Sequence, residues 1–230
     1  MPVDEPDIYN YTGQTSSNYR VGVMGRCITT VKMKIQSGNL EDSFVYFKAL
    51  KRVELTGETK ITSVKGMFYE CGNLETVILN NFDTSELTSV QGMFNQSGIK
   101  ELPLFDTSSV TNFNYFAQQC SKLEAIPLYN THNVTSFNNS FNSCRQLKNI
   151  PILDTSSVTD FSGMFNSVLG FSSTITDESL NNVLQMCINA TSYTGTKKLT
   201  TLDYSVTSVR ARIQGLSNYQ AFIDAGWVIS

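Results

Sequence analysis

Residues 134–157 have the sequence VTSFNNSFNSCRQLKNIPILDTSS, and this stretch decides the fold because it recurs along the chain. The 24 residues before it, 110–133, read VTNFNYFAQQCSKLEAIPLYNTHN, with apolar residues and a closing turn at the same positions. Matching of this repeat along the sequence divides residues 37–170 into six units. Units 1 to 6 are residues 37–60, 61–86, 87–109, 110–133, 134–157 and 158–170. Unit 1 is a weaker copy and unit 6 is truncated. Such a period is typical of stacked repeats.

The same positions stay apolar from unit to unit, which predicts a continuous core. The columns are Ile61, Leu87, Val110, Val134 and Val158; Val64, Val90, Phe113, Phe137 and Phe161; Phe68, Phe94, Ala117, Phe141 and Phe165; Cys71, Ser97, Cys120, Cys144 and Val168; Leu74, Ile99, Leu123 and Leu147; Val77, Leu102, Ile126 and Ile150; and Leu79, Leu104, Leu128 and Ile152.

Each unit contains two local periods. The segment Leu123, Ile126, Leu128 predicts a short strand, whereas the apolar spacing of three and four in VTxFxxxFxxC predicts a helical turn or short helix. Between them, Asp or Asn followed by Thr and usually Ser predicts an Asx turn, as in 154–157. The fold class predicted is α/β, a leucine-rich-repeat-like solenoid of about five to six coils.

The two ends depart from the repeat. Residues 1–36 are predicted to form an extended arm and a β cap, with two strands meeting near Gly25, and to be a docking segment. Residues 37–170 form the solenoid. Residues 171–230 form a C-terminal cap with a helix that begins after the N-cap Thr176, a strand at 197–204, and helices at 206–216 and 217–226.

The repeat pattern FDTSSVTxFxxMFxxCxxLxxIPL resembles that of BspA-like leucine-rich repeats. It is especially similar to the type found in mycoplasma lipoproteins and in bacterial and phage-encoded surface proteins. The resemblance covers about residues 37–170. The sequence departs from the pattern at Phe116-Ala117 and Ser140, and unit 3 has lost one residue and its Cys, with Ser97 instead. The resemblance implies binding of host-cell or matrix components.

Composition excludes several classes of function. Charged residues make up 16% of the chain and the net charge is −3, without a basic stripe, which argues against nucleic-acid binding. No apolar run approaches the length of a transmembrane helix, so no membrane insertion is expected. The N-terminus MPVDEPDIYNYTG lacks the basic and apolar stretches of a signal peptide.

Cysteine and histidine give no catalytic or metal site. The single histidine, His132, is predicted to be an ordinary turn residue, and it leaves no Ser-His-Asp or Cys-His set. Cys71, Cys120 and Cys144 share a column and are predicted to be buried as small apolar residues. The alternative, a thiol ladder that binds metal, is disfavoured because stacked coils give a linear array of thiols. No cofactor is predicted.

The turn column Asp83, Asp106, Asn130 and Asp154 permits two interpretations. A file of carboxylates about 5 Å apart could bind Ca²⁺. The Thr and Ser that follow each of them favour the Asx-turn role.

The strand segments carry the predicted binding residues, because the positions between their apolar anchors face outward. These residues are Lys51, Arg52, Glu54, Glu75, Thr76, Lys100, Glu101, Glu124, Lys148 and Asn149. Solenoids use such faces to bind partners; the alternative is a merely solvated sheet.

The sequence therefore predicts a non-enzymatic recognition or adhesion module. The first hypothesis is a phage structural protein on the virion surface, in the tail or a head appendage. It would contact a host receptor, a cell-surface glycan or another virion protein. The alternative is a bacterial cell-surface or secreted adhesin whose signal peptide has been removed. A glycan-acting enzyme is disfavoured because no non-repeating pair of carboxylates is evident. The sequence is compatible with a homo-oligomer.

Overall fold

The computed structural model describes residues 28–35, 38–168, 175–199 and 207–229. The arm predicted for residues 1–18 and the first of the two strands expected to meet near Gly25 lie outside these ranges, whereas the second strand is confirmed in part by Thr30–Lys34. The described elements are strands β1 (Thr30–Lys34), β2 (Arg52–Thr56), β3 (Thr76–Asn80), β4 (Lys198–Leu199) and β5 (Val228–Ile229), and helices α1 (Asp177–Asn189), α2 (Thr207–Gln214) and α3 (Tyr219–Asp224).

The repeat units lie side by side in parallel register. Strands β1, β2 and β3 form one parallel sheet in that order, with Val53 opposite Val31 on one side and Val77 on the other. In units 3 to 5 the ladder continues as single parallel bridges, from Glu101 to Ala125 and from Ala125 to Asn149. The strands shorten there because Pro103, Pro127 and Pro151 have no N–H with which to extend the ladder.

The VTxFxxxFxxC segment is not helical, so this prediction from its spacing was wrong. It is a row of tight turns with two left-handed positions per unit, four residues apart, such as Gly92 and Gln96. Alternate N–H groups donate to the next unit; in unit 2, the amides of Gly66, Phe68 and Glu70 donate to Gln91, Met93 and Asn95 at 2.8–3.0 Å. These bonds between units replace the i→i−4 bonds of a helix.

Aromatic rings stack through the core from unit to unit. Phe44, Phe68 and Phe94 are stacked at centroid distances of 5.4 Å. In unit 4, where this column holds Ala117, Phe116 from the neighbouring position fills the space, with its ring 5.6 Å from Phe94 and 6.3 Å from Phe141. The departure at Phe116-Ala117 is therefore a packing variation, in which one large side chain changes column.

The last apolar column was predicted wrongly in units 3 to 5, whereas Leu79 in unit 2 is partly buried against the core. Leu104 and Leu128 are each 69% exposed and Ile152 is 45% exposed. The proline before each of them interrupts the strand alternation, so the next residue along, Tyr129 or Leu153 in units 4 and 5, takes the buried place.

The C-terminal helices agree with the sequence prediction. Thr176 caps α1 by accepting a 3.1 Å hydrogen bond from the Ser179 amide. The hydroxyl of Ser179 in turn donates to the carbonyl of Lys148 at 2.9 Å and joins this helix to unit 5. Trp227 is buried against Phe161 and Phe222, with Gly226 before it in a left-handed conformation. The cap thus covers the core at the C-terminal end of the stack.

Candidate binding surface

The strand segments bring nine of the ten predicted binding residues into two adjacent columns, and Glu54 lies outside both. Hydrogen bonds join the first column between neighbours: the Glu75 amide donates to Lys51 O at 2.8 Å, and the Lys148 amide donates to Glu124 O at 2.9 Å. The second column contains Arg52, opposite Thr76, and then Glu101 and Asn149, which bridge to Ala125 from either side. None of the ten predicted residues is buried.

The sign of the charge alternates along the first column, which runs Lys51, Glu75, Lys100, Glu124 and Lys148. Lys148 Nζ lies 2.8 Å from Glu124 Oε2, and this hydrogen bond lowers the pKa of the Glu124 carboxyl. Exposed pairs of this kind contribute little to stability. They leave a surface on which charges of both signs alternate.

A second ion pair anchors the same surface at its N-terminal end. Glu54 contacts Lys32 from β1 at 2.9 Å and Arg52 at 3.8 Å. Glu54 opposes Ile78 in the register of β2 and β3, so its carboxylate has no acidic neighbour in the next strand.

The sequence did not identify three aliphatic side chains as part of this surface. Leu104, Leu128 and Ile152 each follow the charged position of their unit by four residues and are exposed. They form an aliphatic stripe along the same strand segments. The Pro-Leu and Pro-Ile dipeptides were the available signal, because proline disrupts the alternation that would bury the next residue.

The turn column has the predicted Asx geometry. The carboxylates of Asp83, Asp106 and Asp154 accept the amide of the residue two positions on at 2.9–3.0 Å. The hydroxyl of Ser156 also donates to Asp154, and these bonds lower the pKa of its carboxyl. The carboxylates are therefore engaged within their own turns. Within the described ranges, no group of three or more His, Cys, Asp or Glu side chains is placed to hold a metal ion.

The threonine after each Asx residue was not predicted as core. Thr84, Thr107, Thr131 and Thr155 are buried, and the first three hydroxyls donate to the carbonyl of the Asx residue in the next unit at 2.7–2.9 Å. Thr155, in the last complete unit, donates instead to Met186 O of α1 at 2.6 Å. The Asx-Thr pair thus connects units as well as shaping the turn.

His132 and the cysteines lie where the sequence placed them. The His132 side chain is 72% exposed, 3.2 Å from Asp154 Oδ2, at the position that Ser occupies in neighbouring units. Cys71, Cys120 and Cys144 are buried, and each thiol donates to a main-chain carbonyl at 2.9–3.0 Å. Burial raises the pKa of Cys71 and of Cys120 to about 12, so neither is a reactive thiolate at neutral pH.

This geometry defines a class, a repeat protein whose successive units are joined in parallel by hydrogen bonds. The chain belongs to the family described as "Mycoplasma protein of unknown function, DUF285", which matches residues 39–149 and 97–201, together more than half of its length. This is the family of BspA-like mycoplasma surface repeat proteins. No curated protein and no solved structure matches the chain. Among the described helices, none has the length and apolarity that a bilayer crossing requires.

Proposed function

We propose that this chain is a non-enzymatic recognition module built as a leucine-rich-repeat-like solenoid, which binds a protein partner through the surface formed by its strand segments. The observation that carries the proposal is the row of exposed aliphatic side chains (Leu104, Leu128 and Ile152), one per unit, each four residues beyond a charged position of the first column. A row of exposed aliphatic side chains costs solvation free energy and contributes little to this protein's own core. Such rows are a mark of interaction surfaces. The flanking charges then specify the register of the partner.

The surface favours a protein over a nucleic acid or a sugar. The columns of charge are balanced in sign, so phosphate has no continuous basic track to follow. The stripe is aliphatic, whereas a sugar ring is usually held by flat aromatic side chains and planar polar groups. Leu104, Leu128 and Ile152 also lie in consecutive units, so one extended or flat partner can contact all three.

The proposed setting is a biological surface, with two candidates. A virion is the first hypothesis, with residues 1–36 as its docking segment; of these, only 28–35 are among the described residues. A bacterial cell surface is the alternative, and the match to a family described from Mycoplasma supports it. Both settings require binding of a partner rather than catalysis.

The test is direct binding of the labelled full chain to intact cells. Animal cells and several bacteria are compared before and after protease treatment of the cells. We expect saturable binding that protease treatment abolishes, and at least a tenfold weaker affinity for the triple variant L104S/L128S/I152S. Ile223→Ser in α3, where Ile223 is 36% exposed, is the matched control and should bind normally.

Each outcome of this test that concerns protease-sensitive binding is decisive. Binding to animal cells supports the adhesin, and binding to bacteria supports the virion protein. Absence of any protease-sensitive binding, or protease-sensitive binding that the triple variant retains in full, would overturn the proposal; binding that survives protease treatment reports on sugars and is not counted.

A further inference from the structure

A second exposed site lies in the turn segments of units 1 to 3, apart from the strand segments. Its centre is Tyr46, which is 50% exposed. The Tyr46 ring meets the Tyr69 ring edge-on, with 5.6 Å between centroids and 66° between planes. The Lys48 ammonium lies 5.7 Å from the centroid of Tyr46. The Tyr46 ring is thus half-exposed, with a cation over it.

Polar groups of four kinds are connected to this ring, directly or through a neighbour. Lys48 Nζ is held 2.6 Å from Glu70 Oε2, and Gln96 Nε2 donates to the Tyr69 hydroxyl at 3.4 Å. The five side chains therefore form one connected cluster, in which Tyr46 contacts Lys48 and Tyr69, and these two contact Glu70 and Gln96. Together they supply hydrogen-bond donors and acceptors in fixed positions.

Tyr46 carries two energetic costs that its own packing does not offset. Its backbone is left-handed, with φ 64°, a conformation that is unfavourable for a bulky side chain. Half of its aromatic surface also remains in water. The equivalent position in units 2 to 6 holds polar residues, Glu70, Gln96, Gln119, Ser143 and Ser167, also at positive φ. A tyrosine at this one place is therefore not required by the turn.

We propose that Tyr46, Tyr69, Lys48, Glu70 and Gln96 form a carbohydrate-binding site for a neutral oligosaccharide. The apolar face of a pyranose ring packs on the Tyr46 ring. Its hydroxyl groups donate to the Glu70 carboxylate and accept from the Lys48 ammonium and the Gln96 amide. The balanced Lys48–Glu70 pair favours an uncharged sugar over a sulfated or sialylated one, because a charged group would have to displace one member of the pair.

The surroundings distinguish this site from a protein-docking surface. The exposed aliphatic residues Leu104, Leu128 and Ile152 belong to the strand segments of other units. One ring with its polar neighbours is far smaller than the roughly 800 Å² that each partner contributes to a stable protein interface. It is comparable with the contact area of one or two sugar rings.

The experiment is a printed array of neutral oligosaccharides built from hexoses and N-acetylhexosamines, probed with the labelled full chain. The best-bound oligosaccharide is then titrated by calorimetry against wild type and variants. Tyr46→Asn should weaken binding at least tenfold while the midpoint of thermal unfolding stays the same or rises, because Asn accepts the left-handed conformation readily. Glu70→Gln should weaken binding several-fold.

The matched control is Tyr115→Asn, which replaces a second exposed left-handed tyrosine, in unit 4. It should leave the affinity unchanged. The triple variant of the aliphatic stripe should also keep full sugar binding, so failure of one proposal does not entail failure of the other. An array with no bound oligosaccharide, or a Tyr46→Asn variant that binds as wild type, would overturn the assignment. So would a Tyr46-dependent interaction with peptides in place of sugars.

Discussion

The hydroxyl of Thr107 donates a 2.8 Å hydrogen bond to the main-chain carbonyl of Asn130 in the next unit, and Thr107 is buried. Thr107→Val keeps the shape of the side chain but leaves that carbonyl without this donor. We expect the free energy of unfolding to fall by about 1–3 kcal/mol, measured by urea denaturation. The control is Thr135→Val, whose exposed hydroxyl donates to Thr111 O at 3.2 Å and should contribute less than about 0.5 kcal/mol. Equal losses would contradict a special role for the buried threonines.

Gly98 marks the closest approach between the backbones of units 2 and 3. A Cβ added there would lie 2.3 Å from the carbonyl oxygen of Gly72 and 3.2 Å from that of Leu74, and main chain cannot move aside cheaply. Gly98→Ala should therefore destabilise the fold by about 1–3 kcal/mol or more. Gly72→Ala places its Cβ in open space and should be near neutral. Thermal unfolding of the two variants side by side measures the difference, and a neutral Gly98→Ala would show that the units are less closely packed.

Tyr115 occupies a left-handed position, with φ 57°, where units 2, 3 and 6 have glycine and unit 5 has Asn139. Tyr115→Asn should raise the free energy of unfolding by about 0.5–1 kcal/mol, because Asn tolerates this conformation better. Tyr115→Ala removes the ring without relieving the backbone and should give no gain. Urea denaturation of both variants tests this prediction, which fails if the alanine variant gains as much as the asparagine one.

The Asx turns make stability depend on acid. Hydrogen bonds from Ser85 and Ser156 lower the pKa values of Asp83 and Asp154 in the folded chain. The stability that these ionised carboxylates contribute is present above the carboxyl pKa of the unfolded chain, about 3.9. It is lost as the pH falls through the lower pKa values of the folded chain. The variant D83N/D154N keeps an acceptor for each turn, as Asn130 does naturally, and cannot titrate there. It should lose less stability than wild type between about pH 5 and pH 2. Urea denaturation of both proteins across that pH range measures the difference. If the free energy of unfolding falls equally with pH in both, these two carboxyls are not the source of the acid sensitivity.

The thiols should be unreactive until the chain unfolds. Cys71 and Cys120 have pKa values raised to about 12, and burial also raises those of Cys144 and Cys187. At pH 8 the first two are thiolate in only about one molecule in ten thousand. Labelling with iodoacetamide, read by peptide mass spectrometry, should modify these four residues only in denaturant. Labelling within minutes in the native state would contradict their burial.

The register of the units could be predicted because each column keeps the same kind of residue, apolar or turn-forming, from unit to unit. The column Cys71, Cys120 and Cys144 is buried as predicted, with each thiol on a main-chain carbonyl. The helix after Thr176 was also predictable, since its cap and first turn are local in sequence. Both kinds of inference depend on residues that are close together or repeated.

Two features could not be read from the sequence for identifiable physical reasons. Apolar spacing of three and four fits both a helix and a row of turns, and hydrogen bonds to the next unit, such as Phe68 N to Met93 O, decide between them. The Tyr46 site combines residues from three units, such as Lys48, Glu70 and Gln96. No local sequence motif therefore predicts it. A binding role for the ten residues of the strand segments stays a prediction, although none of them is buried.

The sign of the charge alternates from unit to unit along the first column, and this restricts how such a chain can change length. The column runs Lys51, Glu75, Lys100, Glu124 and Lys148. Removal of unit 4 alone would bring Lys100 beside Lys148 and place like charges in contact. Removal of units 3 and 4 together would restore a Glu–Lys neighbour pair, Glu75 with Lys148. On this surface the smallest increment of growth or shortening that preserves the pattern is therefore two units, so duplications and deletions in pairs should be tolerated better in evolution than single ones.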